Sequence, residues 1–292
     1  MMKEKNKVVL GIDMGGTKIR VGKVEGSEVT ATASNLIPAS EDAETVLNTV
    51  KKTVATLFSD EVAGLGVGIP SVLDRKQGIV YDVQNIPSWK EVHLKKILED
   101  EFNRVTCIDN DANCFAIGEK RYGKGRHYDH FVGITLGTGM GTGVINRGTL
   151  LCDANGGSGE FGEIPYLDSK LENYASGQFF KKAFNLDGKT IFERAKRGDS
   201  SALKAYEQFG IHLGNAVKII LYALDPGHVI FGGSIAAAKD YYETAMWKEI
   251  KTFAYPKSID TLTIEYAELA ENSPLLGAAA VYLDAAMCNE TQ

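Results

Sequence analysis

Past a short polar start, the chain runs through an unbroken apolar stretch, Val8 to Ile12. Then come Asp13, Gly15, Gly16, Thr17 and Lys18, and apolar residues return at Ile19, Val21 and Val24. A short apolar run bounded by glycines predicts a buried strand, and the spacing after Lys18 predicts a second strand rather than a helix. The same pattern recurs between Val132 and Gly148. At one constant offset, Gly11, Ile12, Gly15 and Gly26 are matched by Gly133, Ile134, Gly137 and Gly148. Two related hairpins, one in each half of the chain, imply two related domains.

The pattern elsewhere completes a mixed α/β plan. Residues 28–37 read as a third strand, closing a meander, and residues 40–57 as a helix with Val46, Leu47, Val50, Val54 and Leu57 on one face. Residues 62–69 are a glycine-rich buried strand ending at Pro70 and Ser71. Residues 81–89 are an irregular loop, 91–102 a helix, 105–108 a short strand, and a helix then runs through Glu119. Later, helices are expected over 172–183, 189–196, 200–224, 240–253 and 273–285, with strands at 228–231 and 262–266. Meander plus βα units, twice over, predicts two ribonuclease-H-like domains of the actin/hexokinase-like ATPase class with a ligand cleft between them. The expected division is 1–115 and 116–272, with the helix at 273–292 packing back on the first domain.

Composition narrows the function. A chain of 292 residues, 44% hydrophobic, can bury two cores. The net charge is −6 and the lysines and arginines are scattered, so nucleic acid is not an expected partner. No apolar run is long enough to suggest a membrane span, and the N-terminus has no signal-like apolar region. Cys107, Cys114, Cys152 and Cys288 lack disulfide or zinc spacing, which suggests a reduced, cytoplasmic setting.

The candidate chemistry lies at the turns and strand ends. A glycine hairpin turn presents backbone N–H groups that can cradle a phosphate. A carboxylate beside such a turn repels phosphate unless a cation intervenes, so Asp13 suggests Mg²⁺. Asp109-Asn110-Asp111-Ala112-Asn113 follows a strand, where α/β sheets bind ligands, and holds more polar groups than a helix cap requires. Glu160, Glu163 and Glu172, close in sequence, can form a solvated face or accept hydrogen bonds from several hydroxyls of a sugar.

These residues resemble the ROK family of sugar kinases, which includes bacterial glucokinases, along nearly the whole chain. The resemblance is carried by GIDMGGTKIRVG (11–22), IDNDAN (108–113), LGTGMGTGV (136–144), GGSGEFGE (156–163), LENYASG (171–177) and DPGHVIFGGSI (225–235). It implies ATP-dependent phosphorylation of a hexose or hexose derivative, glucokinase-like and at the 6-hydroxyl. Asp111 would be the general base. Asn85, Asn110, Asp111, Glu160, Glu163 and Glu172 would contact the sugar, with Ser71 nearby. Gly15, Gly16, Thr17 and Lys18, and Gly137, Thr138 and Gly139, would be the phosphate turns. Gly232 and Gly233 would be the adenosine-side turn, and Asp13 would hold Mg²⁺ through water. A homodimer is implied as well. The chain departs from the family in one segment. The cysteine-rich zinc loop of many members is replaced by residues 164–171, and the family histidine by Glu163, so zinc is not expected. The alternative is a catalytically weak sugar sensor of the same family without a DNA-binding segment, since the first strand already starts at Val8.

Overall fold

The structure is a computed structural model describing residues 7–83, 85–151, 153, 157–269 and 272–290, the last five as backbone alone. Cys152 and Gly156 lie outside the described residues, as does the side chain of Cys288. The chain forms two compact units. One is Met1–His127 with Thr149–Ser158 and Glu268–Gln292; the other is Tyr128–Gly148 with Gly159–Ala267.

In the first unit, β1 (Val8–Met14) is buried along almost its whole length. That is the pattern of a central strand covered on both faces. It pairs antiparallel with β2 (Lys18–Glu25), which pairs with β3 (Glu28–Leu36), an edge strand that is largely exposed. Helix α1 (Ala43–Ala55) is capped by Asp42, which accepts from the Thr45 amide at 2.8 Å. Strand β4 (Val62–Ile69) lies parallel to β1 on its other side.

Beyond β4 the chain makes a small sheet from β5 (Val72–Asp74), β6 (Ile79–Tyr81) and β7 (Glu91–Val92). The helix expected from residue 91 therefore starts later, as α2 (Leu94–Phe102), because Glu91 and Val92 pair with Tyr81 and Val80. Strand β8 (Thr106–Asn110) completes the order β3-β2-β1-β4-β8 and runs straight into α3 (Asp111–Tyr122). Residue 115, the expected boundary, lies inside α3.

The second unit repeats the opening. Strands β9 (Phe131–Leu136) and β10 (Met140–Asn146) form an antiparallel hairpin, with Gly133 opposite Gly143 as Gly11 is opposite Gly22. The short β11 (Thr149–Leu150) opens the segment that returns to the first unit. A two-residue ladder of β12 (Pro165–Tyr166) and β13 (Ser169–Lys170) follows.

The helix expected over 172–183 is broken in two. A 3-10 turn, Leu171–Asn173, precedes α4 (Gly177–Phe184), whose start is fixed by Ser176 accepting from the Gln178 amide. Then come α5 (Gly188–Lys196), the long α6 (Ser200–Leu224), β14 (His228–Gly232), α7 (Lys239–Ile250), α8 (Pro256–Thr261) and β15 (Thr263–Tyr266). Strand β14 lies parallel to both β9 and β15.

Helix α9 (Ser273–Glu290) belongs to the first unit and covers one face of its sheet. Val9, Val24, Ala279 and Tyr282 share that core, while α1 and the buried Trp89 help fill the opposite face. The approach is very close. A Cβ on Gly11 would lie 2.0 Å from the Leu275 carbonyl oxygen, and one on Gly66 would lie 1.9 Å from that of Ala278. Only glycine lets the helix backbone rest directly on these strands.

Candidate active site

Within the first unit, β1 delivers Asp13 to the start of the glycine turn. The Gly15 amide donates to the Lys18 carbonyl at 2.9 Å, and the Ile37 amide to Thr17 at 2.9 Å, so the turn is anchored at both ends. Asn85, in a left-handed conformation, packs on this turn. A Cβ on Gly16 would fall 2.6 Å from its Nδ2. Its loop is fixed by Trp89, which is fully buried and whose amide donates to Ile86 at 2.9 Å. The structure thus brings Asn85 to the first glycine turn. Ser71 is instead used by the small sheet: its hydroxyl donates to the carbonyls of Tyr81 at 2.6 Å and Val72 at 2.9 Å.

The Asp-Asn-Asp-Ala-Asn stretch resolves into separate jobs. Asn110 caps α3, its Oδ1 accepting from the Ala112 amide at 2.8 Å. Asp109 is buried and its Oδ1 accepts from the Asn110 amide, from Asn113 Nδ2 and from Arg75 Nε. Burial raises the Asp109 pKa, and the Arg75 guanidinium opposes that rise. Arg75 also donates to Asp153 Oδ1 at 3.3 Å, and Asp153 Oδ2 accepts from the Ser158 amide and hydroxyl.

Asp111 occupies the first turn of α3, where the helix dipole favours a negative charge. Its side chain stays open to solvent on one side, yet the protein packed around it penalises the charged form and raises its pKa. Asp13 is pushed up to about 6, chiefly by burial, next by the charge of Asp111, and against the pull of Arg20. The charge of Asp111 thus discourages ionisation of Asp13, a repulsion that a cation would relieve.

Among the described residues, no three His, Cys, Asp or Glu side chains come together to hold a metal ion. One half-buried carboxylate beside a glycine turn able to cradle phosphate does fit Mg²⁺, which keeps most of its waters and binds through few protein ligands together with phosphates. The two described cysteines are free; burial pushes both thiols up and makes them poor nucleophiles.

Within the second unit, the Gly137–Gly139 turn is closed by the Gly137 amide donating to Gly139 at 3.0 Å. It is tied to the LENYASG segment. The Gly177 amide donates to the Gly137 carbonyl at 2.8 Å, and the buried Ser176 hydroxyl donates to the carbonyls of Thr138 at 2.9 Å and Glu172 at 2.5 Å. Glu172 Oε2 accepts from the Met140 amide at 3.4 Å, and Oε1 from Gln178 Nε2 at 3.2 Å. Glu163 and Glu172 both pair with Lys170. Glu160 is exposed, just ahead of the 3-10 turn Phe161–Glu163.

A cavity of about 600 Å³ opens beside this turn, lined by Gly137, Thr138, Gln178, Lys181, Phe192 and Ile235 among others. Gly233 takes φ 86° against the Leu136 carbonyl, and its turn sends Ser234 and Ile235 to the cavity wall. Sequence reasoning missed Gln178, Lys181, Phe192, Arg75 and Lys170. No motif marks them. The apolar face of the short helix α5 was the available signal for Phe192.

The ROK family model matches residues 9–285. A glucokinase of Thermotoga maritima is 28% identical over 94% of this chain and 96% of its own length. An N-acetyl-D-glucosamine kinase of Yersinia enterocolitica is 31% identical over 80% of this chain and 86% of its own. The xylose repressor of Bacillus subtilis also matches, at 28% identity over 76% of this chain and 61% of its own length. Among solved structures, a ROK family glucokinase of Streptomyces griseus, in complex with glucose and AMPPNP, superposes with a TM-score of 0.80. It is 26% identical, with 93% of this chain and 98% of that chain covered. The chain has the two-domain actin/hexokinase-like fold and belongs to the ROK family.

Proposed function

We infer that this chain is an ATP-dependent sugar kinase that phosphorylates a hexose or hexose derivative. The observation that carries the reading is Asp111, an accessible carboxylate of raised pKa whose charge acts on Asp13 in the same unit. Asp111 would accept the proton of the 6-hydroxyl as the hydroxyl oxygen bonds to the γ-phosphorus and the bond to the ADP oxygen breaks. A raised pKa makes a carboxylate a better base, provided it is ionised at the working pH.

Gly15, Gly16, Thr17 and Lys18, and Gly137, Thr138 and Gly139, would each offer N–H groups to phosphate oxygens. Asn110, Glu160, Glu163 and Glu172 would contact sugar hydroxyls; Asn85 packs against the first turn and would contact the sugar from there. The cavity in the second unit would take the nucleoside, with Phe192 and Ile235 on its walls. Asp13 would hold Mg²⁺ through water, and the ion would supply charge neutralisation on the β- and γ-phosphates. The readings as homodimeric and cytoplasmic rest on the family resemblance and the cysteine spacing. Among the described residues no helix is long and apolar enough to cross a membrane.

The match to a repressor raises a second reading, a sensor that binds sugar without turnover. A coupled assay with Mg-ATP against glucose, mannose, fructose, allose and N-acetylhexosamines decides between them. Turnover of one sugar supports the kinase, while saturable binding with no ADP formed supports the sensor.

A further inference from the structure

Glu163, Lys170 and Glu172 form one ionic bridge in the second unit. Lys170 Nζ lies 2.6 Å from Glu163 Oε1 and 2.8 Å from Glu172 Oε1. The bridge stands on a rigid base. The β12–β13 ladder ends at Lys170, and the Leu171 amide donates to the Ile164 carbonyl at 2.9 Å, which holds the two 3-10 turns carrying the glutamates side by side. Lys170 is about a third exposed and Glu172 only 14%. The pair is therefore less screened than a surface pair. The glutamates reciprocate by raising the Lys170 pKa, Glu163 first and Glu172 next.

Glu172 is the shared member. Its carboxylate also accepts from Gln178, which lines the 600 Å³ cavity, and from the Met140 amide that starts β10 after the glycine turn. One carboxylate thus meets Lys170, Gln178 and the Met140 amide together.

We propose that Lys170 is a positioning residue for substrate recognition. It fixes Glu172 and Glu163 so that their remaining lone pairs face the substrate, and it offsets charge that would otherwise splay the carboxylates apart. This rests on the kinase reading, with Glu163 and Glu172 as sugar contacts. Because Lys170 joins both proposed sugar contacts, Glu163 and Glu172, and only Glu172 is linked onward to the cavity through Gln178, its loss affects sugar recognition before nucleotide recognition.

The test compares the wild-type chain with Lys170→Met and Lys170→Arg in steady-state kinetics, with thermal melting as a check on folding. The expected result is a sugar KM raised about tenfold in Lys170→Met, as befits loss of a charge-assisted contact. The ATP KM should stay within about twofold, and Lys170→Arg, which keeps the charge, should restore most of the loss. An unchanged sugar KM, or an equal rise in both KM values, overturns the proposal. If the wild-type chain turns over no sugar, the kinase reading fails separately. Calorimetric sugar titration of the same three proteins then decides: weaker binding by Lys170→Met, rescued by Arg, supports the positioning role, and equal or absent binding overturns it.

Discussion

Arg75 Nε sits 3.1 Å from one carboxylate oxygen of Asp109 and 3.0 Å from the other, and Asp109 is nearly buried. The same carboxylate holds the Asn110 amide and Asn113, so the guanidinium compensates the charge that anchors the start of α3. Arg75→Met is expected to cost about 2 kcal/mol in urea unfolding at neutral pH, since it leaves a buried carboxylate short of its cation. The sign with pH follows from the Asp109 pKa, already raised by burial and raised further without Arg75. A raised folded-state pKa means that the folded variant binds more protons than the unfolded chain. The deficit should therefore shrink as pH falls toward the ordinary carboxylate range. A deficit that grows on acidification would contradict this account.

Asp111→Asn is expected to lower kcat by roughly 10²–10⁴-fold while leaving the melting temperature nearly unchanged. The substitution also removes the second of the two influences that raise Asp13, so the Asp13 midpoint should drop from about 6 toward 3.8. Carbon-13 NMR of the carboxylates reads that midpoint directly. In the wild-type chain Asp13 favours folding most when protonated. Its contribution is complete below 3.8 and is lost as pH rises through about 6. Adding Mg²⁺ with a nucleotide should lower the midpoint as well, because the ion stabilises the charged form.

Two glycines separate packing from ligand binding. A Cβ on Gly11 would strike the Leu275 carbonyl, whereas one on Gly137 meets nothing within 4 Å. Gly11→Ala is therefore expected to destabilise by about 3 kcal/mol, measured by denaturant unfolding. Gly137→Ala should stay within about 0.5 kcal/mol of wild type yet raise the ATP KM several-fold, if a phosphate oxygen approaches that backbone. Normal ATP KM in Gly137→Ala would remove this turn from the proposed phosphate site.

Phe192 offers a flat apolar wall to the cavity, and the Lys196 ammonium lies 4.3 Å from its ring centroid. Phe192→Ala should weaken nucleotide binding about tenfold, seen as a raised ATP KM with the sugar KM unmoved. A shift in the sugar KM instead would assign the cavity to the other substrate.

The parts of this architecture that could be read in advance are those written in local pattern. The apolar run of β1, its glycine turn and the second copy at β9 and β10 declare themselves by spacing alone. The helix that begins at Asp111 is marked by its cap residues, and the strand before it, read as 105–108, runs on to Asn110. What escaped the reading depends on distant partners. Strands of two or three residues such as β5 and β7 have no period, and only their pairing with β6 makes them strands. Arg75 meets Asp109 across 34 positions and Asp153 across 78, a relation that no window could show. Nothing in the local sequence marks Lys170; only the two 3-10 turns place a glutamate on either side of it.

The seat that Gly11 and Gly66 make for α9 also bears on how the molecule is born. Helix α9 is translated after every other described element, yet it covers the strand translated first and touches the helix that begins with Asp111. On the ribosome, the leading sheet must wait with a bare apolar face until α9 emerges. The proposed base is thus mounted on a scaffold that closes only once α9 has followed all the other described elements, so a chain interrupted before α9 would be released without a finished catalytic half.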